Sequence, residues 1–168
     1  MVTIAALVLD GFAHTAEAVA GSAYGAKNKM RFKRAVRLTS EFSVGFAILI
    51  SAVIYWSGPY LINVLTDDPA VIESALTYLP YCALMPIFGF AAFQLDGIFI
   101  GTTRTGSMAI AGIAAVILYL CVHYFIYPKL GAPAIWISFL IYYLLRALTL
   151  AMAYPAILRQ LNKANSLV

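Results

Sequence analysis

The stretch Phe88–Gly106, FGFAAFQLDGIFIGTTRTG, has the length and composition of a membrane helix, yet it carries Asp96 within its apolar run. A shorter segment with a similar pattern, LDGFAHTAE at Leu9–Glu17, lies near the start of the chain and carries Asp10. A charged side chain at the centre of a spanning helix costs about 2.5–3.5 kcal/mol on insertion scales. Acids kept at that cost indicate a functional role for both segments.

The composition of the whole chain is that of a membrane protein. Of 168 residues, 63% are hydrophobic and 11% are charged, whereas a soluble domain has about 25% charged residues. Long apolar runs favour helices over the short alternating strands of a barrel. Cys82 and Cys121 lie inside apolar runs and are interpreted as packing residues, with no disulfide or metal motif around them.

Apolar runs predict an all-α fold, a polytopic membrane helix bundle of five transmembrane helices. The spans are expected at about 2–26, 38–62, 79–101, 107–127 and 134–158, in one transmembrane domain over residues 1–168. Each is long enough for a hydrocarbon core of about 30 Å. Between the second and third spans, Asp68 is expected to cap a helix that has Pro69 in its first turn.

The distribution of charge predicts the orientation in the membrane. The segment Lys27–Arg37, interpreted as a loop, holds six of the eleven basic residues, and the positive-inside rule places it in the cytoplasm. Asp67, Asp68 and Glu73 then fall outside, and Lys129 is an exception. The prediction is a multi-pass protein of the plasma (inner) membrane, with its N-terminus outside and its C-terminus cytoplasmic.

Two spans carry polar stripes at helical spacing. On the first, Asp10, His14, Glu17 and Gly21 share one face. On the fifth, Arg146 lies about twelve residues, or about 18 Å, from either end, so its side chain is too short to reach the interface. Arg146 therefore needs a buried partner or a wet cavity, and a structural role as counter-ion to one of the acids is a strong alternative.

The third span contains a second polar side chain, Gln94, two residues from Asp96. The two lie roughly 200° apart on a regular helix, so they would face one cavity only if the helix unwound locally near Gly97 or Pro86. The pairs Gly21/Gly25 and Gly97/Gly101 have the G-x-x-x-G spacing, which predicts close helix packing.

No enzyme constellation occurs in the sequence, and no cofactor is predicted. Cys–His metal spacing, a nucleophile elbow, a phosphate-binding glycine loop and H-E-x-x-H are all missing. The chemistry open to buried carboxylates is the binding and release of a proton or another ion, which would couple an ion gradient to transport.

Two segments carry a family resemblance, LDGFAHTAEAVAGSAYGAKNK at Leu9–Lys29 and PIFGFAAFQLDGIFIGTTRTGSM at Pro86–Met108. They resemble the C-terminal half of the multidrug and toxic compound extrusion (MATE) family, in its DNA-damage-inducible branch. The resemblance implies twelve spans in two six-helix lobes, of which this chain would supply spans eight to twelve. The N-terminal lobe and the first helix of the second lobe would be absent, which would account for the outward-facing N-terminus.

The resemblance also implies the site and the activity. Some family members have a cation-site acid on span ten, and Asp96 lies on the matching span. The expected ion- and substrate-binding residues are Asp96, with Asp10 and Glu17 as auxiliary acids, together with Gln94 and Arg146. The aromatic residues, among them Phe90, Phe93 and Tyr142, are expected to form a wall suited to lipophilic cations.

The resulting hypothesis is a multidrug (xenobiotic) efflux antiporter that exports lipophilic or cationic compounds in exchange for H⁺ or Na⁺. The expected partners are small organic substrates, membrane lipids and a second lobe from another chain or copy, and no nucleic acid. One alternative is a lipid-linked precursor flippase of the same superfamily, although only Arg146 lies deep enough to meet a diphosphate. Another is a non-transporting membrane fragment or interaction subunit.

Overall fold

The computed structural model describes residues 2–165, and this part of the chain forms five long helices. The helices are α1 (Val2–Gly25), α2 (Lys29–Leu65), α3 (Pro69–Gly101), α4 (Thr105–Leu130) and α5 (Pro133–Asn165). All five are long and apolar enough to cross a membrane. Residue 1 and the last three residues of the predicted domain lie outside the described residues. The predicted all-α bundle is confirmed.

Side chains at the helix starts fix two of the connections. Asn28 caps α2, because its side chain accepts a hydrogen bond of 2.9 Å from the backbone N–H of Arg31. Asp68 caps α3 in the same way through Ala70, and Pro69 occupies the first turn, as predicted. These caps satisfy N–H groups that have no partner within a helix.

The basic segment was wrongly interpreted as a loop, since α2 begins at Lys29 and contains most of it. No glycine or proline interrupts residues 29–37, and lysine and arginine are good helix formers. Arg37 and Glu41 support this first part of the helix with an ion pair of 2.7 Å, one turn apart. At 37 residues, α2 is about 55 Å long, longer than the hydrocarbon core, so its basic end extends beyond the lipid tails.

Helix α3 lies at the centre of the bundle and packs against α1, α2 and α5, while α4 packs mainly against α5. The main core joins these helices around Phe32, Ile98, Phe99, Leu150 and Ile157, all fully buried. Because α3 is covered on several sides, its residues have neighbours on most of the other helices. This central position decides where each of its polar side chains points.

Small residues bring α1 and α3 into backbone contact. A Cβ atom at Gly97 would overlap the carbonyl group of Ala13, and one at Gly101 would overlap the carbonyl group of Glu17. A Cβ at Gly21 would lie 2.8 Å from the Gly101 carbonyl oxygen. Close packing is therefore confirmed for these three glycines. It is wrong for Gly25, which has nothing within 4 Å.

Helix α3 stays regular from Pro69 to Gly101 despite Pro80 and Pro86. The local unwinding that would bring Gln94 and Asp96 to one cavity is not present. Gly97 instead allows close packing of α3 against Ala13 of α1. The Ser51 hydroxyl on α2 donates to the Ala83 carbonyl, which lies about one turn before Pro86. This hydrogen bond links α2 to the backbone of α3 near the proline.

Candidate functional site

The structure pairs Asp96 on α3 with Arg146 on α5. The guanidinium donates two hydrogen bonds to the carboxylate, from Nε to Oδ2 and from Nη2 to Oδ1, each 3.0 Å long. The Arg146 side chain is 16% exposed and that of Asp96 is 20% exposed. Bidentate geometry and low exposure are both typical of a strong pair. Arg146 thus has the buried partner that its depth in the membrane requires.

The surroundings of Arg146 leave room for its guanidinium on the side of α4. A Cβ atom at Gly112 would lie 3.0 Å from Nη1 of Arg146, so a glycine there lets α4 approach the arginine. On α5, one turn earlier, the Tyr142 hydroxyl oxygen lies 3.5 Å from the same nitrogen. The sequence reading missed Gly112, whose signal is a lone glycine in the apolar run MAIAGIAAV.

Asp10 lies at nearly the same depth as Asp96, on the neighbouring helix. The contact between Ala13 and Gly97 sets the register of the two helices, and it separates the two acids by about 3 Å along the bundle axis at 1.5 Å per residue. Asp10 is close enough to interact electrostatically with Asp96 and with the Tyr143 hydroxyl. The structure therefore brings three of the predicted residues, Asp10, Asp96 and Arg146, into one region.

Glu17 lies apart from this group. Its side chain is 39% exposed, and its Oε2 atom is 3.7 Å from Nδ1 of His14, which is 78% exposed. Glu17 follows Asp10 by about two turns, or roughly 10 Å. Its backbone carbonyl group contacts α3 at Gly101. The acidic stripe of α1 therefore divides into a part near Asp96 and a part on the open surface of the described residues.

Gln94 faces α2 and not the side of α3 that carries Asp96. Its Nε2 atom donates a hydrogen bond of 2.6 Å to the Thr39 hydroxyl oxygen, and its side chain is buried, only 3% exposed. The Thr39 hydroxyl in turn donates to the Ala35 carbonyl at 2.9 Å. Within residues 2–165 the Oε1 atom of Gln94 has no hydrogen-bond partner. The 200° separation on a regular helix thus holds.

The predicted aromatic residues do not share one cavity wall. Phe93 packs on Tyr143 with ring centroids 5.8 Å apart, and Tyr142 packs edge-on against Tyr119 at 6.1 Å. Phe90 lines a different cavity, of about 250 Å³, together with Gln94. Within residues 2–165 no group of three or more histidine, cysteine or acidic side chains is placed to hold a metal ion.

A groove of about 740 Å³ runs beside the ion pair, between the end of α3, the apolar face of α4 and α5. It is lined mainly by aliphatic side chains, and Arg146 contributes its charged group to the lining. The arginine therefore contacts the carboxylate on one side and borders an open apolar space on the other.

Comparison with known proteins decides the family. Residues 1–125 match the sequence model of the MatE family. The chain belongs to the MATE family. It is 34% identical over 157 residues to DNA damage-inducible protein F of Escherichia coli K12, covering 90% of this chain and 33% of that relative. The resemblance stated from the two motifs is confirmed.

A second relative and a solved structure agree with this assignment. Multidrug resistance protein MdtK of Edwardsiella ictaluri (strain 93-146) is 32% identical over 93 residues, 54% of this chain and 20% of that protein. The crystal structure of the eukaryotic MATE transporter AtDTX14 matches with a TM-score of 0.82 and 18% identity, over 95% of this chain and 37% of that one. This MATE-family chain is thus an integral membrane protein whose fold matches part of a MATE transporter.

Proposed function

We propose that this chain forms most of the C-terminal lobe of a MATE-type multidrug antiporter, which exports lipophilic or cationic compounds in exchange for H⁺ or Na⁺. The names of its relatives, a multidrug resistance protein and a MATE transporter, support this class of activity. The chain spans about a third of the length of DNA damage-inducible protein F and of AtDTX14. The activity therefore belongs to an assembly with a second lobe, from another chain or another copy.

The observation that carries the proposal is the carboxylate of Asp96, held inside the bundle beside a groove. An acid that faces the interior of a membrane bundle is a binding group for a proton, a metal cation or a cationic substrate. Each charge moved through 100 mV supplies about 2.3 kcal/mol. Asp10 gives the region a second acid at the same depth, and Glu17 and Gln94 lie outside it as auxiliary groups at most.

The exposed helix faces support contacts with lipids and with the second lobe. On α4, the described residues include only two that are buried, Ala111 and Ala115. Large hydrophobic side chains such as Ile110, Ile113 and Phe125 are 63–71% exposed. A surface this apolar is stable against acyl chains or against another transmembrane lobe. We place the protein in the plasma (inner) membrane, with its N-terminus outside and its C-terminus cytoplasmic.

The lipid-linked precursor flippase is less well supported than the exporter. A site for diphosphate needs an excess of positive charge. Among the described residues, Arg146 is the basic side chain that lies deep in a span. Asp96 neutralises its charge through two hydrogen bonds. With Asp10 nearby, the region has a net negative charge, which favours cations.

The proposal is tested by dye efflux from cells that express the chain joined to its upstream lobe. Asp96→Asn removes the carboxylate charge at constant size, so we expect loss of ion-driven efflux of a cationic dye with membrane insertion retained. Asp67→Asn, in the exposed turn between α2 and α3, is the matched control and should keep wild-type efflux.

Two results would contradict the proposal. Wild-type efflux by the Asp96→Asn variant would remove Asp96 from the coupling site. Equal, background-level efflux by the chain alone and by the joined protein would favour the non-transporting alternative. Immunoblots of membrane fractions must show equal amounts of each variant.

A further inference from the structure

The Arg146 guanidinium occupies the bidentate position of the Asp96 carboxylate. Both carboxylate oxygens accept a guanidinium N–H at 3.0 Å, in the plane where a bidentate partner binds most strongly. A sodium ion or the charged group of a substrate that binds both carboxylate oxygens would occupy the same place. Such binding to Asp96 requires that the guanidinium leave.

The surroundings of Arg146 give the guanidinium somewhere to go. The side chain borders the groove of about 740 Å³ between α3, α4 and α5. The Tyr142 hydroxyl, 3.5 Å from Nη1, offers an acceptor on the same helix. Gly112 has no side chain to block the path on the side of α4.

The balance of charge favours a monovalent cation as the incoming ligand. Asp10 lies within about 3 Å of the depth of Asp96, on the helix packed against α3. Two acids and one arginine give the region a formal charge of one negative unit. A single monovalent cation compensates that charge, whereas a divalent cation would leave an excess of positive charge in a poorly hydrated interior.

We propose that Arg146 is a tethered competitor, a cation of the protein that occupies Asp96 until a monovalent cation displaces it. The proposal rests on the proposed function, because it specifies how the site of the antiporter is kept closed between binding events. Arg146 thereby sets the affinity of the site and prevents an uncompensated acid from remaining inside the membrane. Either an inorganic ion or the cationic group of a substrate could displace Arg146 from Asp96 in this way.

The test compares cation binding to purified variants of the full 168-residue chain in lipid nanodiscs. The probes are Na⁺ and tetraphenylphosphonium, measured separately by equilibrium binding in alkaline buffer. Arg146→Gln removes the competitor, so we expect tighter binding of at least one probe by about 5–150-fold, the usual range for coupling between two ligands. The double variant Asp96→Asn/Arg146→Gln should lose that gain.

A second variant keeps the test valid if Arg146→Gln does not fold. Gly112→Ala retains both charges but places a Cβ atom 3.0 Å from Nη1 of Arg146, on the side towards which the guanidinium would move. The methyl group obstructs that movement, so we expect weaker cation binding than in the wild type. Gly106→Ala is the matched control on α4, because nothing lies within 4 Å of its Cβ position, and it should bind as the wild type does.

Each outcome decides the role of Arg146. Unchanged or weaker cation binding in Arg146→Gln overturns it, as does unchanged or tighter binding in Gly112→Ala or a gain that survives in the double variant. A gain for Na⁺ alone assigns the site to the coupling ion, and a gain for tetraphenylphosphonium alone assigns it to the substrate. If Asp96→Asn abolishes efflux but Arg146→Gln gains no affinity, only the competitor role fails and the proposed function stands.

Discussion

Two polar side chains of α3, only two residues apart, have partners on different helices. Asp96 pairs with Arg146 on α5, and Gln94 donates to Thr39 on α2. Successive residues of a helix are rotated by about 100°, so the two side chains diverge by roughly 200°. At the residue scale, the central helix therefore links its neighbours through two separate polar contacts.

The Gln94–Thr39 contact predicts an asymmetry between two substitutions. Thr39→Val leaves the Gln94 amide N–H group buried without its acceptor, at a cost of about 1–2 kcal/mol in the free energy of unfolding. Gln94→Leu removes both the donor and the unpaired Oε1 atom, while the Thr39 hydroxyl keeps its bond to Ala35. We expect Gln94→Leu to cost less.

Unfolding in mixed detergent micelles, followed by circular dichroism, measures this difference. Should Gln94→Leu prove the more costly of the two, Oε1 has a hydrogen-bond partner in the folded protein, such as a bound water or ligand.

At the scale of helices, the contact between α1 and α3 depends on glycines that face backbone atoms. Gly97 and Gly101 lie against carbonyl groups of α1, one turn apart. In a membrane, where lipid tails are as apolar as the side chains, such close approach is a main source of helix association. The same contact sets the register that brings Asp10 to the depth of Asp96.

The α1–α3 interface predicts that Gly97→Ala is strongly destabilising. The added methyl group would overlap the Ala13 carbonyl group, which is backbone and yields only if the helices separate. Overpacking of this kind typically costs about 1–3 kcal/mol, occasionally more. Gly11→Ala is the control, because nothing lies within 4 Å of its Cβ position in α1.

Thermal unfolding of the two variants in the same detergent provides the measurement. A Gly97→Ala protein as stable as Gly11→Ala would mean that the two helices are farther apart than the structure places them. The cation affinity of Gly97→Ala should fall as well, since separation of α1 and α3 would move Asp10 away from Asp96.

At the scale of the whole molecule, basic and acidic side chains lie at opposite ends of α2. The start of α2 carries most of the basic segment, and the turn between α2 and α3 carries Asp67 and Asp68. The positive-inside rule then orients the chain with the α1–α2 turn in the cytoplasm. Family membership and five apolar helices make this an integral membrane protein, and the orientation of its ends stays a prediction.

Cysteine labelling on intact cells tests the orientation. Asp67→Cys should react with a membrane-impermeant maleimide, whereas Ala26→Cys should react only after the cells are opened. Both positions are exposed, and neither is one of the capping residues Asn28 and Asp68. The native cysteines, Cys82 and Cys121, are first replaced by serine. The reverse pattern of labelling would invert the proposed topology.

The sequence by itself determined the class of protein, the number of helices in the described chain and the family. Apolar runs and caps such as Asp68 are local signals, because a spanning helix satisfies its backbone hydrogen bonds within itself. The sequence also identified Asp96 and Arg146 as residues that need partners. The prediction of a loop around Lys29 was wrong because a loss of hydrophobicity marks the end of the lipid core, and a helix can continue beyond it.

Only the tertiary structure decided which polar groups meet. Arg146 had three acids well inside the spans as possible partners, Asp10, Glu17 and Asp96, and packing of α5 on α3 selected Asp96. The register between α1 and α3 placed Asp10 near that pair and left Glu17 on an open face. The space beside the Arg146 guanidinium is left by Gly112 on α4. Such contacts join residues distant along the chain, and their geometry depends on helix rotation and depth, which no local pattern of residues specifies.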